Sequence, residues 1–169
     1  VDAPLLRAVV RNAALVGTLV AAAQAVRFLL PERLRDKLPR RRQPPRPRPP
    51  AGRARTVLML EGCVQPGLSP HTNAAAAVVL DRLGISVVPA PRAGCCGAVD
   101  FHIDAQDEGL ARARSNIDAW WPAIEAGAEA IVQTASGCGA FVKEYGHLLR
   151  DDPIYAAKAE RVSALARDL

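Results

Sequence analysis

Aromatic side chains, cysteines and long apolar runs are all scarce in this sequence of 169 residues. Aromatic residues make up only 4% of the chain, which argues against a β-sandwich filled with large rings. The longest apolar stretch, 13–23, is well short of the ~20 residues that span a bilayer, so no transmembrane segment is predicted. Four cysteines are too few for a disulfide scaffold, and no secretory signal is apparent, which favours the cytoplasm.

The positive charge of the chain is concentrated in one segment. Residues 33–55 contain ten Arg or Lys and a single acidic residue, Asp36, whereas the stretch 57–169 has more acidic than basic residues. A nucleic-acid partner requires basic side chains clustered on a folded surface, but this segment is rich in proline, which favours an extended spacer. The net charge of +5 therefore describes a linker, and no nucleic-acid partner is expected.

The pattern of apolar residues divides the chain into three regions. Residues 1–38 are predicted to be a helical connector, with one long helix or two short ones over 5–30. Residues 39–55 are the basic, proline-rich linker. Residues 56–169 alternate short apolar strands with helices, which is typical of an α/β domain with a small parallel sheet and flanking helices.

Three strands and four helices are predicted within this domain. The strands are 57–62, 85–90 and 130–135. The helices are 69–83, 104–126, 139–149 and 153–169. Ser69 is expected to cap the first of these helices, and Pro122 to kink or split the second.

The four cysteines all follow the carboxyl ends of predicted strands. Cys63 follows the first strand, and the pair Cys95 and Cys96 follows the second. Cys138 is expected between the third strand and its helix. Parallel strands present their carboxyl ends at one edge of a sheet, so the four thiols are expected to meet there.

Glycines beside each cysteine leave room for a bulky inorganic group and expose amides that stabilise thiolates. The sequence therefore predicts a metal site formed by all four.

Two other interpretations of the cysteines stay open at this point. Cysteine is among the residues most often found in protein interiors, so the four side chains are alternatively small core residues. A redox disulfide, Cys95 with Cys96 or Cys63 with Cys138, is the other alternative, although a bridge between adjacent cysteines is strained. Positions in loops beside glycine favour the metal site over both.

Four more residues receive predictions that the structure can test. Glu61 and Asp100 flank the cysteine segments, and structural hydrogen bonding is expected because no nucleophile accompanies them. Trp120 and Trp121 are adjacent in a helix, so one ring is expected to pack on the sheet while the other faces outward.

The arrangement of Cys63, then Cys95-Cys96-Gly97, then Cys138 resembles the cysteine-rich CCG domain. The segments LEGCVQPGLSPHTNAAAAVVLDRLGI and AGCCGAVDFHIDAQDEGLARARSNIDAWW are similar to the first CCG domain of glycolate oxidase iron-sulfur subunits, and the similarity extends over about residues 56–149. Related domains occur in heterodisulfide reductases and in lactate-utilisation iron-sulfur proteins. The resemblance identifies the chain as a fragment, with the linker and first CCG domain of such an iron-sulfur subunit.

The resemblance implies an electron carrier that works beside the flavoprotein subunits of a glycolate dehydrogenase complex, where glycolate is oxidised to glyoxylate. The chain itself would relay electrons and would not perform that oxidation. The implied cofactor is a 4Fe-4S iron-sulfur cluster held by Cys63, Cys95, Cys96 and Cys138. The implied location is the cytoplasm, and any association with the inner face of the cytoplasmic membrane would be peripheral and through the complex.

One departure from the family pattern bears on the cofactor. The family motif ends in CxxC, but the matching residues here are Ala135-Ser136-Gly137-Cys138, so one thiol of the pair is missing. Four thiolates are sufficient for a 4Fe-4S cluster and equally for tetrahedral zinc. A structural zinc site in a subunit-docking module is therefore the alternative prediction.

Overall fold

The structure is a computed structural model that describes residues 8, 9, 12–38, 44 and 47–169. Much of the predicted linker and the first residues of the predicted N-terminal helix lie outside this part of the chain. Within it, no helix has the length and apolar character needed to cross a membrane. The strands are β1 Arg55–Met59, β2 Ile85–Val88, β3 Ile131–Gln133 and β4 Ala166–Asp168.

The helices precede, connect and flank these strands. In chain order they are α1 Ala13–Ala25, α2 Glu32–Arg35, α3 Gln65–Leu68, α4 His71–Arg82, α5 Ala98–His102, α6 Gln106–Glu125, α7 Ser136–Lys143, α8 Tyr145–Leu148 and α9 Ala156–Leu165. A short 3-10 helix, Arg27–Leu29, lies between α1 and α2.

All four strands belong to one parallel sheet, in the order β2-β1-β3-β4. The central strand β1 pairs with β2 on one side, where Val57 lies opposite Val87. On its other side it pairs with β3, where Leu58 lies opposite Ile131. Parallel neighbours require crossover connections, which the helices provide. The predicted α/β class, a small parallel sheet with flanking helices, is confirmed.

Alternate residues of β1 face the two sides of the sheet, as the period of a strand requires. Leu58 is fully buried in the larger apolar cluster, beneath helices α6 to α9, together with Trp120 and Phe141. Val57 and Met59 face the opposite side, in a smaller apolar cluster that α4 helps to cover. The sheet is therefore covered on both faces, which explains why consecutive residues of the central strand, Val57 to Met59, are all apolar and buried.

The long helix α6 bears out the prediction for its two tryptophans and is continuous through its proline. Trp120 is fully buried, whereas Trp121 is partly exposed with the Lys158 ammonium 5.1 Å from its ring centre, as expected for adjacent tryptophans. The prediction for Pro122 was a kink or a split, and because the helix continues through Pro122 to Glu125, the helix is not split. Pro122 follows four full turns of helix that already pack on the sheet, and this packing offsets the lost backbone bond.

The last part of the domain differs from the prediction. The predicted helix 139–149 is two helices, and α7 begins at Ser136, so Cys138 lies in the first turn of a helix and not in a preceding loop. The end of the chain was predicted to be helical, but residues 166–168 pair with β3 as a fourth strand. A three-residue strand shows too little alternation to be recognised from sequence.

The segment between β1 and α4 also contains more structure than was predicted. The short helix α3 precedes α4, and the Ser69 N–H donates to the Gln65 carbonyl at 2.7 Å, which closes α3. Helix α4 begins at His71, and no side chain caps it, so the predicted Ser69 cap is wrong.

Helix α1 lies against the domain at α3. A Cβ on Gly67 would lie 2.8 Å from both the Ala13 carbonyl oxygen and Val16 Cγ1, so only glycine permits this contact. Val20, one turn further along, is buried. The Asn12 side chain caps the helix by accepting a hydrogen bond from the Leu15 N–H at 3.0 Å. The helix predicted over 5–30 is thus present in its described part.

The end of the basic, proline-rich segment is bound to the domain surface. The N–H groups of Gly52 and Arg53 both donate to Ser86 Oγ in β2, at 3.0 and 2.9 Å. The Arg53 guanidinium forms two hydrogen bonds to the Asp81 carboxylate, at 2.8 and 3.0 Å. Asp81 lies in the last turn of α4, so this contact is at the edge opposite the carboxyl ends of the strands.

Gly97 allows the segment that contains Cys95 and Cys96 to approach α6 closely. Its φ of +99° is in the left-handed region, and a Cβ there would lie 2.5 Å from the Gly109 carbonyl oxygen. A Cβ on Gly109 would in turn lie 2.9 Å from Phe101 Cβ. Two glycines therefore permit α5 and α6 to pack together directly after the cysteine pair.

Replacing Gly97 by alanine is expected to lower the free energy of unfolding by about 2–4 kcal/mol, because left-handed strain adds to the clash with Gly109. Chemical denaturation followed by circular dichroism measures this loss. Gly94→Ala is the matched control, since a Cβ there meets nothing within 4 Å. That control should change the free energy by less than about 1 kcal/mol, and equal losses in both variants would contradict the role given to Gly97.

Candidate metal centre

All four cysteines lie at the edge of the sheet where β1, β2 and β3 end. Cys63 follows β1, and the pair Cys95 and Cys96 follows β2, directly before α5. Cys138 lies in the first turn of α7, which follows β3. The first three are buried and Cys138 is half-buried, and all four are free thiols.

The four thiols interact with one another in a row. A hydrogen bond to Cys95, followed by burial, raises the pKa of Cys63. Hydrogen bonds to Cys138 and Cys95, together with burial, raise the pKa of Cys96. The pKa of Cys95 is lowered by its bonds with Cys63 and Cys96, and the pKa of Cys138 is lowered by its bond with Cys96. The row therefore runs Cys63, Cys95, Cys96, Cys138, and it joins three distant parts of the sequence.

Backbone amides add to the stabilisation of charge on these sulfurs. Neighbouring thiols and burial have the largest effects on the pKa values of Cys63, Cys95 and Cys96. In addition, a backbone hydrogen bond from an amide one or two residues further along the chain lowers the pKa of each of these cysteines. These amides belong to Val64, Gly97 and Ala98. The charge of the Arg112 guanidinium also lowers the pKa of Cys95. Of these three amides, only that of Gly97 belongs to one of the glycines from which such bonds were predicted.

The segment that carries Cys95 and Cys96 is held by two buried side chains that sequence reasoning missed. Asn116 Nδ2 donates to the Cys95 carbonyl at 2.9 Å, and its Oδ1 accepts from the Gly94 N–H at 2.8 Å. The Tyr145 hydroxyl donates to the Cys96 carbonyl at 2.6 Å and lies 3.3 Å from Asn116 Nδ2. Burial raises the pKa of Tyr145, so its hydroxyl remains a donor. An asparagine on the apolar face of a predicted helix was the available signal.

A second polar network holds the segment that carries Cys63. Asn73 Nδ2 donates to the Glu61 carbonyl at 3.2 Å and to its carboxylate at 3.0 Å. The Asn73 side-chain oxygen accepts from Gln65 Nε2 at 2.9 Å and from Thr134 Oγ1 at 2.6 Å. These bonds join the ends of β1 and β3 to the first turn of α4. The structural hydrogen bonding predicted for Glu61 is confirmed.

Asp100 also has the structural role that was predicted. Its carboxylate is fully buried, and Arg112 Nε donates to it at 2.5 Å. This ion pair joins α5 to α6 next to the cysteine pair. A buried carboxylate without such a partner would be strongly destabilising.

Two cavities border the row of sulfurs. The larger, of about 620 Å³, is lined by Cys63, Cys96 and Cys138, and most of its wall is apolar. The smaller, of about 350 Å³, is lined by Cys95 and Arg112 among others. Among the residues that the structure describes, no group of three or more His, Cys, Asp or Glu side chains has the arrangement that a single metal ion requires. In this structure the four thiols form hydrogen bonds with one another.

The chemistry of this donor set fits a metal centre that prefers sulfur. Thiolates are soft ligands, which suit zinc, copper(I) and iron-sulfur clusters better than hard cations. The backbone amides that bond to the sulfurs favour the deprotonated form that metal binding requires. Cys63, Cys95, Cys96 and Cys138 are the residues that would hold such a centre.

A small parallel α/β domain that gathers four cysteines from three strand ends belongs to the class of cysteine-rich domains. The family that matches this chain is CCG, described as a cysteine-rich domain, over residues 57–143. Since the match covers more than half of the chain, the protein belongs to the CCG family. No solved structure matches the chain significantly.

Curated relatives have iron-sulfur or lactate-utilisation names. The "Glycolate oxidase iron-sulfur subunit" of Escherichia coli (strain K12) is 65% identical over 164 residues, which cover 97% of this chain and 40% of that protein. The "Probable glycolate oxidase iron-sulfur subunit" of Bacillus subtilis (strain 168) is 36% identical over 61% of this chain and 22% of that protein. "Lactate utilization protein A" of Bacillus pumilus (strain SAFR-032) is 29% identical over 63% of this chain and 43% of that protein. The chain thus spans less than half the length of each, and the resemblance to glycolate oxidase iron-sulfur subunits is confirmed.

Replacing Tyr145 by phenylalanine is expected to lower the free energy of unfolding by about 1–3 kcal/mol, because it leaves the buried Cys96 carbonyl without its donor. Thermal and chemical denaturation measure this loss. Tyr155→Phe is the control, since that hydroxyl donates to Asp118 at the exposed surface, and a change below about 1 kcal/mol is expected. A Tyr145→Phe variant as stable as the control would refute the structural importance of this bond.

Proposed function

We propose that this chain is part of an iron-sulfur electron-transfer subunit, and that Cys63, Cys95, Cys96 and Cys138 hold a 4Fe-4S cluster. The observation that carries the proposal is the row of four interacting thiols at one edge of the sheet. The parallel strands bring the cysteine segments to one edge, but burial alone does not require all four thiols to contact one another or to receive hydrogen bonds from backbone amides.

The residues of the chain have separate tasks in this proposal. The cysteines supply the thiolates, and the amides of Val64, Gly97 and Ala98 stabilise their charge. The bound cluster would supply reversible one-electron chemistry, whose potential depends on hydrogen bonds to sulfur and on nearby charge. Asn116 and Tyr145 keep the Cys95–Cys96 backbone in place, so that these two ligands are positioned before the cluster binds.

The biological setting is proposed from the names of the relatives. By similarity to the glycolate oxidase iron-sulfur subunits, the chain would accept electrons from flavoprotein subunits that oxidise glycolate to glyoxylate. The chain would relay electrons, and the oxidation of glycolate would take place on the flavoprotein subunits. We propose a cytoplasmic complex, with any contact to the inner face of the cytoplasmic membrane made peripherally through the complex.

The organisation of the chain is part of the same proposal. Residues 1–38 would be the helical connector, 39–55 the basic linker, and 56–169 the cysteine-rich domain. In this arrangement the connector and linker would join the CCG domain to another part of the longer subunit.

A structural zinc site is the alternative function, because the number of thiolates suits zinc as well as it suits an iron-sulfur cluster. The position of the missing thiol is occupied by Ala135, so the domain offers four thiolates, which is the number that tetrahedral zinc accepts. A zinc module would act in docking other subunits and would have no redox response.

Changing any one of the four cysteines to serine is expected to weaken iron binding at least ~10-fold, because even the loss of an outer-shell partner has an effect of that size. Iron and sulfide analysis after anaerobic reconstitution, with optical and EPR spectra, measures this. The unchanged chain should be brown and give the spectrum of a reducible cluster.

Ala140→Ser is the matched control, because Ala140 lines the same cavity in the same helix as Cys138. It adds the same hydroxyl while every thiol remains, so iron content should be unchanged. Colourless protein with one zinc per chain and no redox response would replace the iron-sulfur proposal with the zinc alternative. Full iron content in a Cys→Ser variant would remove that residue from the ligand set.

A further inference from the structure

Arg48, in the described part of the basic, proline-rich segment, contacts the cysteine edge of the domain. The Arg48 guanidinium meets the Glu61 carboxylate end-on, with Nη1 2.6 Å from Oε1 and Nη2 2.7 Å from Oε2. Asn73 Nδ2 donates to the same carboxylate at 3.0 Å. Two parallel bonds from a planar guanidinium define the orientation of both groups.

This ion pair lies next to the proposed ligands. Glu61 is two residues before Cys63, so their Cα atoms are at most ~7 Å apart. Glu61 also lines the larger cavity, together with Cys63, Cys96 and Cys138. Charges at such separations interact, since the screening length in physiological salt is about 8 Å. An uncompensated carboxylate here would oppose the addition of an electron to a centre held by these cysteines.

The backbone around Arg48 is itself restrained. Pro49 and Pro50 follow it directly, and both line a small cavity with Ala77 and Ser86 at the surface of the domain. A few residues later, Arg53 is bound to Asp81 at the opposite edge of the domain. The segment therefore crosses the domain from the cysteine edge to the other edge, with an arginine-carboxylate pair near each end.

The stability of the domain does not explain the Arg48 contact. The side chains of Arg48 and Glu61 are 43% and 38% exposed. Ion pairs this exposed contribute little to folding. The Arg53–Asp81 pair is also partly exposed, but of these two arginines only Arg48 contacts a carboxylate beside the cysteines.

We propose that Arg48 is a positioning residue of the metal centre, which compensates the charge of Glu61 beside Cys63 and thereby keeps the reduction potential of the centre from falling. This rests on the proposed iron-sulfur function. The linker would then be more than a tether, because one of its arginines contributes to the electrostatic environment of the site.

The test is the reduction potential of the reconstituted 169-residue chain, from EPR-monitored titration of the unchanged protein, Arg48→Gln and Glu61→Gln. Arg48→Gln should shift the potential to more negative values, because an added electron then faces an unpaired carboxylate. Glu61→Gln should shift it the other way, and the double variant should return close to the starting potential, since it removes both charges. Arg48→Lys keeps the positive charge, so its potential should lie between that of Arg48→Gln and that of the unchanged protein.

Arg53→Gln is the matched control, because it breaks an ion pair of the same segment at the opposite edge. Its potential should equal that of the unchanged protein, with equal iron content in every variant. An unchanged potential in Arg48→Gln, or an equal shift in Arg53→Gln, would overturn the proposal.

A second measurement separates this inference from the proposed function. In the metal-free chain, ¹⁵N NMR should detect Arg48 Nη protons protected from exchange with water, and Glu61→Gln should remove the protection. If the chain binds no iron, the iron-sulfur function fails and the redox role of Arg48 fails with it, while protected protons would still record the ion pair. If iron binds and the protons are unprotected, only the role of Arg48 is overturned.

Discussion

The parallel pairing of β1 with β2 on one side and β3 on the other is the constraint on which the site depends. Cys63, Cys95 and Cys138 are separated by tens of residues, and no local structure could bring them together. Parallel hydrogen bonding gives the three strands the same direction, so the segments that leave them emerge at the same edge. The apolar layers on both faces of the sheet then fix this register, because a one-residue slip would move Leu58 out of the larger cluster and to the opposite face.

Convergence of the strands brings the cysteine segments near each other, and polar side chains from the helices determine their final positions. Asn116 and Tyr145 satisfy the backbone around the cysteine pair from α6 and α8. Asn73 does the same for the segment before Cys63, from α4. Each of these groups is buried or partly buried, so its hydrogen bonds are costly to lose. Hydrogen bonds from three helices therefore hold the cysteine segments in place.

The sequence was most informative where a local pattern repeats. Three apolar strands alternating with helices predicted the sheet, and the positions of the cysteines relative to those strands predicted that the thiols would meet. The fourth strand was missed because three residues carry no recognisable period, and Cys138 was placed in a loop because α7 begins earlier than its composition indicates. Asn116 and Tyr145 are 29 residues apart, so their bond depends on tertiary packing that no local pattern encodes.

The four cysteines line two different cavities, and this affects the routes by which electrons would reach a bound centre. Cys95 borders one cavity, whereas the other three cysteines border another. A centre held by all four would therefore be approachable from two separate openings. Under the proposed electron-transfer function, a donor at one cavity would leave the other free for an acceptor, so electrons would arrive and depart by different routes.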